Sequence, residues 1–189
     1  MTDDEAAQFR AQLDECIGQP TGRGGPSIAP DEVNVPMIRH WVDAMDDQNP
    51  VYLDAEFAAA TRHGGIVAPP AMLQTRTMGR PKIQGIAERG GANSEGESRL
   101  LGLLDKAGYT NIVATNSELE FERYLRVGDR LQSTTVFESV SEEKTTGRGI
   151  GYFVTWVTTY CDADGAVVGR QRFRVFKFKP AKAATAVAS

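Results

Sequence analysis

The sequence predicts an α+β domain in which an antiparallel sheet from the second half of the chain wraps around a helix from the first half. Three observations carry this reading. Apolar residues recur at helical spacing before Gly108, β-branched and aromatic residues dominate in runs after Tyr109, and turn signals divide those runs. Four long antiparallel strands cannot stand in water with both faces bare, so their apolar face must close on a helix.

The elements follow in chain order. Asp4 to Ile17 places Phe9, Leu13, Cys16 and Ile17 on one face, opens with acidic residues and stops at Gly18 and Pro20, which predicts a short amphipathic helix. A Gly- and Pro-rich loop over Thr21 to Pro30 precedes a second helix. There Asn34 can cap, Pro36 suits the first turn, and Met37, Ile38, Trp41 and Met45 form the expected stripe. Because proline pushes the residue before it out of the helical region, Asn49 should be extended and the chain should turn at Pro50. Asp54 to Arg62 reads as an Ala-rich helix ended by His63-Gly64-Gly65, and Ala71 to about Met78 as the helix the sheet wraps. A loop over residues 80–97 and a helix from Ser98 to Lys106 complete the first half. The strand runs are 111–125, 130–140, 148–161 and 166–178, with a two-residue hairpin at Asp164-Gly165.

Composition bounds the function classes. The 189 residues suit one main domain, 41% hydrophobic and 24% charged, with no apolar run near the ~18 residues of a membrane span. The acidic N-terminus lacks a secretory pattern, so the cytoplasm is expected. A net charge of -4 argues against nucleic acid. Two cysteines, Cys16 and Cys161, read as small buried hydrophobes and not as a disulfide or metal site. Arg170 to Lys179 interleaves basic and apolar residues, as expected of a strand with one solvated face; its phase change between Val175 and Phe176 predicts a bulge, and the face could also meet a ligand's phosphates.

Asp47-Gln48-Asn49-Pro50-Val51-Tyr52-Leu53-Asp54, then Gly64 to Leu73, then Phe121-Glu122-Arg123-Tyr124-Leu125-Arg126-Val127-Gly128-Asp129, resemble the signature of MaoC-like (R)-specific enoyl-CoA hydratases. The resemblance covers roughly residues 20 to 180 and implies a hot-dog fold, with an extra N-terminal helix over 1–19 and a flexible tail or truncated linker over 180–189. Pro20 to Pro26 and Arg39 to Met45 further resemble the hot-dog domain of the large subunit of actinobacterial heteromeric hydratases of cholesterol side-chain degradation.

That family's chemistry needs an aspartate and a histidine flanking an activated water, with a backbone N–H at the central helix start polarising the thioester carbonyl. By the resemblance Asp47 takes the aspartate's place and Tyr52 the histidine's. A tyrosine with a pKa near ~10 is a poor general base at neutral pH, where histidine near ~6.5 is well placed. Asp47 has a second reading, since an acid in an Asn-Pro turn can hold the loop by its own hydrogen bonds. His40, inside a helix, reads as structural; His63, at a helix end, reads first as structural too, but its Gly-flanked loop beside the central helix is where a ligand could approach. Pro69 and Pro70 lack N–H groups, so Ala71 offers the first donor where the family has glycine. Asn49, His63, Gly64, Gly65, Pro70, Ala71 and Met72 are therefore the expected substrate-binding residues, with no metal and no cofactor beyond the coenzyme A thioester itself.

The resemblance implies a dyad-incomplete subunit of a heteromeric hydratase, inactive alone, partnered by a smaller catalytic hot-dog subunit in a heterotetramer. It also implies an acyl-CoA substrate with a steroid side chain, and contact with a thiolase-like aldolase through a further C-terminal domain. Two other readings stay open: a subunit of a fatty-acid dehydratase acting on carrier-protein thioesters, and an acyl-CoA-binding or scaffolding module without catalysis.

Overall fold

A computed structural model describes residues 2–22, 25–77 and 98–180. The expected helix at the N-terminus is α1, Asp3–Asp14, opened by a reciprocal capping box between Thr2 and Glu5. A two-residue strand β1, Ser27–Ile28, leads to α2, Val35–Met45, where the Asn34 side chain accepts from the Met37 N–H and Pro36 sits in the first turn. The buried face of α2 is Ile38 and Val42, with Trp41 beside them; Met37 and Met45, expected in the stripe, lie 44% and 64% exposed. Two short helices follow, α3 over Pro50–Leu53 and α4 over Ala55–Ala60. Only the second shows in the sequence, because the one turn of α3 leaves too little periodicity. A 3₁₀ turn at Pro70–Met72 runs into α5, Leu73–Arg76, the described part of the helix expected to Met78. Met78 and the loop expected over 80–97 lie outside the described residues, as does the expected tail beyond Pro180. Ser98 then caps α6, Arg99–Lys106.

The second half is sheet, as expected. Strands β2 (Asn111–Phe121), β3 (Gln132–Val140), β5 (Gly149–Cys161) and β6 (Val167–Pro180) pair antiparallel in the order β1-β3-β5-β6-β2, and a short β4, Lys144–Thr146, extends the β5 edge. Between β5 and β6 the chain closes through Ala163-Asp164-Gly165, with the Asp162 N–H on the Ala166 carbonyl at 2.9 Å and Gly165 at φ 84°. The loop thus has three residues and not the predicted two, the form in which a type I turn needs a glycine in the left-handed region.

One face of β5 and β6 turns inward, carrying Tyr152, Val154, Trp156 and Tyr160 on β5 and Phe173 and Val175 on β6. Two packed clusters share it. Under α1 and α6, Leu13, Leu100, Leu104, Phe137 and Val154 close one end; Ile38, Val42, Met72, Leu73, Leu131 and Val168 close the other beneath α2 and α5. The helix that begins near Ala71 does pack on the sheet through α5, but α6 packs on it too. Gly169 shows how close α5 comes: a Cβ there would lie 2.6 Å from Leu73 Cδ2 and 2.7 Å from the Glu120 carbonyl.

The basic stretch on β6 differs from the expectation. Its pairing with β5 runs unbroken past Val175 and Phe176, and the irregularity falls on the neighbouring strand between Ala114 and Asn116. Nor is its basic set one solvated face. Arg172 pairs with Glu138 at 2.6 Å and Arg170 with Glu122 at 2.8 Å, but Lys177 points inward, buried, with Nζ 2.6 Å from Asp105 on α6 and donating to the Thr110 carbonyl. Of the two cysteines, Cys16 is buried as expected and Cys161 is half-buried.

Candidate functional site

The site residues gather where the chain passes from α2 to α5, on backbone held by a run of short side chains. Asp46 ends α2 in the left-handed region at φ 52°, and the next residue turns back with its N–H on the Val42 carbonyl at 2.9 Å. Asp47 then accepts the Asn49 N–H at 3.1 Å, Asn49 accepts the Val51 N–H at 3.2 Å, and Asp54 accepts the Glu56 and Phe57 N–H groups at 2.9 and 3.0 Å. Each acid or amide caps the segment that follows it, so the turn predicted at Asn49-Pro50 is a chain of caps. The Asp47 carboxylate has a structural task in that chain.

Tyr52 stands on α3 and is 7% exposed, inside the cluster with Val51, Ala68 and Met72. Burial pushes its phenol above the ordinary tyrosine range, and the neighbouring Tyr124 and Asp47 push it the same way. It is therefore neutral at physiological pH. A neutral phenol can donate a hydrogen bond but is no general base there.

His63 lies half-buried after α4, its ring edge-on to Tyr124 at 4.6 Å between centroids. Gly64 and Gly65, at φ 66° and 155°, let the chain leave this corner in conformations that other residues rarely adopt. The strand-like segment after them is fixed by the Ala68 N–H on the Leu125 carbonyl at 2.8 Å and by a bridge between Val67 and Arg126. Tyr124 thus links the Tyr52 corner to His63, and beyond His63 opens a cleft of about 490 Å³ lined by Arg62, His63, Val67, Arg123, Tyr124, Arg126 and Asp129.

At the start of the wrapped helix, the Met72 N–H is taken by the Pro69 carbonyl at 2.9 Å and the Leu73 N–H by the Pro70 carbonyl. Among the described residues no backbone carbonyl receives the Ala71 N–H, and Ala71 is exposed. Pro70 is half-buried, whereas Met72 is buried in the core and packs there. Asn49 and Gly64 are exposed, and His40 lies exposed on α2 outside both clusters. The predicted residues Tyr52 and His63 thus meet about Tyr124. Tyr124, Arg62 and Arg126 join them without having been singled out. Tyr124 and Arg126 lie inside the Phe121–Asp129 motif, and only the tertiary fold brings them to His63.

No group of three or more His, Cys, Asp or Glu side chains among the described residues is placed to hold a metal ion, and no described helix is long and apolar enough to cross a membrane.

Against known proteins, residues 24–171 match the family described as the FAS1-like dehydratase domain region. The chain is 44% identical over 176 residues, 92% of its length, to a probable enoyl-CoA hydratase alpha subunit of Thermomonospora curvata, of which it covers 53%. It is 36% identical over 181 residues to the 3-oxo-4,17-pregnadiene-20-carboxyl-CoA hydratase alpha subunit of Mycobacterium tuberculosis, covering 94% of this chain and 55% of that protein. The chain spans about half the length of these curated relatives. Its fold is similar to a chain in the crystal structure of the ChsH1-ChsH2 complex from Mycobacterium tuberculosis, with TM-score 0.77, 34% identity, and 95% and 96% of the two chains covered. The (R)-hydratase from A. caviae involved in PHA biosynthesis shares the fold at 17% identity and TM-score 0.54, over 82% of this chain and 96% of that one.

Proposed function

This chain belongs to the FAS1-like dehydratase-region family, with the MaoC-like hot-dog fold, and from that membership we propose that it is the dyad-incomplete subunit of a heteromeric enoyl-CoA hydratase. The observation that carries the reading is Tyr52, a buried and neutral phenol at the position where the family resemblance calls for the histidine base. The reaction adds water across the double bond conjugated with the thioester: oxygen bonds to the β-carbon, and a proton is delivered to the α-carbon. A base must take the proton from the water, and general acid–base help of this kind is typically worth about 10²–10⁴ in rate. A partner hot-dog subunit supplies that base through its own Asp/His pair.

Two further features support an association of this kind. Relatives are named as alpha subunits, and one similar structure is of a two-protein complex. Among the described residues β2 pairs on one side alone, with β6, which leaves a long edge able to continue into another chain's sheet. A steroid acyl group is the proposed substrate class, from the relative whose name carries one. No cofactor enters, since both electrons and atoms of the reaction come from the thioester and water.

The test is hydration of a steroid enoyl-CoA, followed by loss of the conjugated thioester absorbance and the mass gain of one water. The purified chain is assayed alone and with a dyad-bearing hot-dog protein from the same source. Turnover in the mixture alone is expected. Turnover by the isolated chain at the mixture's rate overturns the proposal.

A further inference from the structure

The cleft beyond His63 has a chemistry that hydration does not use. Three guanidinium groups line it, and one is already neutralised: Arg123 lies 2.6 Å from Asp129 and 3.0 Å from Asp162, and donates as well to the Tyr124 carbonyl at 3.1 Å. Asp129 is committed in turn, accepting the Arg126 backbone N–H at 2.8 Å. Among the described residues, neither Arg62 nor Arg126 has a carboxylate within salt-bridge reach. Two guanidinium groups with no carboxylate partner among the described residues therefore face one concavity, next to the rings of His63 and Tyr124.

That arrangement selects for an anion. Arginine presents a planar fork of donors that matches the oxygens of a phosphate, and charge-assisted bonds of this type are about twice as strong as neutral ones. A volume of about 490 Å³ falls within the roughly 300–1,000 Å³ of small-molecule sites and exceeds what a lone inorganic ion would fill. The backbone beneath is also held in place. Arg126 is bridged to Val67, and the Gly128 and Asp129 turn is tied to Val33 by two backbone hydrogen bonds of 2.8 and 2.9 Å. Arg123 acts as the clamp of this corner, and Arg62 and Arg126 are the donors left for a ligand among the described residues.

We propose that Arg62 and Arg126 bind the nucleotide phosphates of coenzyme A in this cleft, so that the half of the site without a base still holds a thioester's handle. The inference rests on the enoyl-CoA reading above, and it assigns the phosphates to this cleft instead of to the basic strand β6, whose Arg170 and Arg172 are paired with glutamates and whose Lys177 is buried.

Calorimetric titration of the full chain with CoA, dephospho-CoA and pantetheine tests it, comparing the native protein with the double variant Arg62→Glu, Arg126→Glu. Both side chains are exposed, so the variant should melt with the native protein, and Arg62→Gln, Arg126→Gln serves as a second variant without charge reversal. CoA affinity should fall at least about tenfold in the reversed pair, less in the glutamine pair, and should weaken with salt in the native chain alone. If dephospho-CoA binds the native chain as weakly as CoA binds the variant, the cleft takes the 3′-phosphate; if it binds like CoA, the cleft takes the pyrophosphate. Either supports the proposal. Equal CoA affinity of native and reversed chains, CoA no tighter than pantetheine, or no CoA binding by the native chain overturns it. Hydration by the reconstituted mixture with arginine-independent CoA binding removes the cleft and leaves the hydratase reading, whereas arginine-dependent binding without hydration does the reverse.

Discussion

Beneath α1 and α6 the inward face of the sheet ends in side chains that water does not reach: Leu13, Leu100 and Leu104 are fully buried and meet Phe137, Tyr152 and Val154. Beneath α2 and α5 the same face ends at a corner of turns, caps and short helices, where Tyr52 is buried but Asn49, Gly64 and Ala71 are open. The strands are continuous through both ends, so the difference lies in what covers them. Two amphipathic helices, α1 and α6, seal the first end, whereas α2 covers only part of the second. At the second, the backbone is held by single hydrogen bonds from Asp47, Asn49 and Asp54, and the chain can present N–H groups and cations to a ligand. Stability should therefore respond most to substitutions at the sealed end, and ligand binding to those at the open one.

The largest effect expected follows from Leu104. It is 0% exposed and reaches the sheet from α6, so Leu104→Ala removes buried methyl groups and leaves a cavity where the helix cannot easily settle. The cost should be about 2–5 kcal/mol, read as a lower denaturant midpoint at unchanged slope. A loss below 1 kcal/mol would break the contrast between the two ends.

A smaller effect, at the open end, comes from Tyr160. Its hydroxyl donates to Gln171 at 3.3 Å, and burial pushes the phenol up to about 12. An unfolded tyrosine ionises near ~10, so between about pH 10 and 12 the folded chain keeps a proton that the unfolded chain has lost. The contribution is fully present below pH 10 and is lost as pH rises through the folded value, at up to about 1.4 kcal/mol per pH unit. Tyr160→Phe should flatten that part of the decline when unfolding is followed from pH 9 to 12. Tyr52 at the open end and Tyr109 and Tyr152 at the sealed end are also raised, by burial first, so the variant should keep the rest of the slope. An unchanged slope would take Tyr160 out of the alkaline sensitivity and leave it to Tyr52, Tyr109 and Tyr152.

The two ends were also unequally legible in the sequence. Helical spacing marked Leu100, Leu101, Leu103 and Leu104, and the sealed end has a helix there, because a long buried stripe leaves a periodic trace. The strand runs were visible for the same reason, except that β1 and β4 hold two and three residues and carry no period. At the open end the motif drew attention to Asp47, Tyr52 and His63, but one-turn helices and caps write no period. Tyr124, Arg123 and Arg126 come near Arg62 and His63 through strand order and turn geometry, a relation between residues some sixty positions apart that local pattern does not contain. The same limit explains Lys177. Interleaved charges on a strand read as a wet face, and only the approach of Asp105 on α6 shows why one of them is buried.

The smallest effect expected belongs to Asp47, and it separates the two tasks an aspartate can have at this corner. Its carboxylate accepts the Asn49 N–H at 3.1 Å, a bond that an asparagine side chain can replace through its own carbonyl oxygen. Asp47→Asn should therefore change stability by less than about 0.5 kcal/mol, whereas Asp47→Ala, which removes the acceptor, should cost about 0.5–2 kcal/mol, as lost caps do. If the residue only holds the turn, hydration by the reconstituted mixture follows the same order, intact in the asparagine variant and reduced in the alanine variant no further than its lost stability explains. An asparagine cannot take a proton as a carboxylate can, so a hundredfold fall in kcat at unchanged stability would mean that Asp47 handles a proton despite the phenol at Tyr52. The open end would then be a working site in its own right and not a binding half, which makes this small structural change the sharpest test of how the two ends divide the labour.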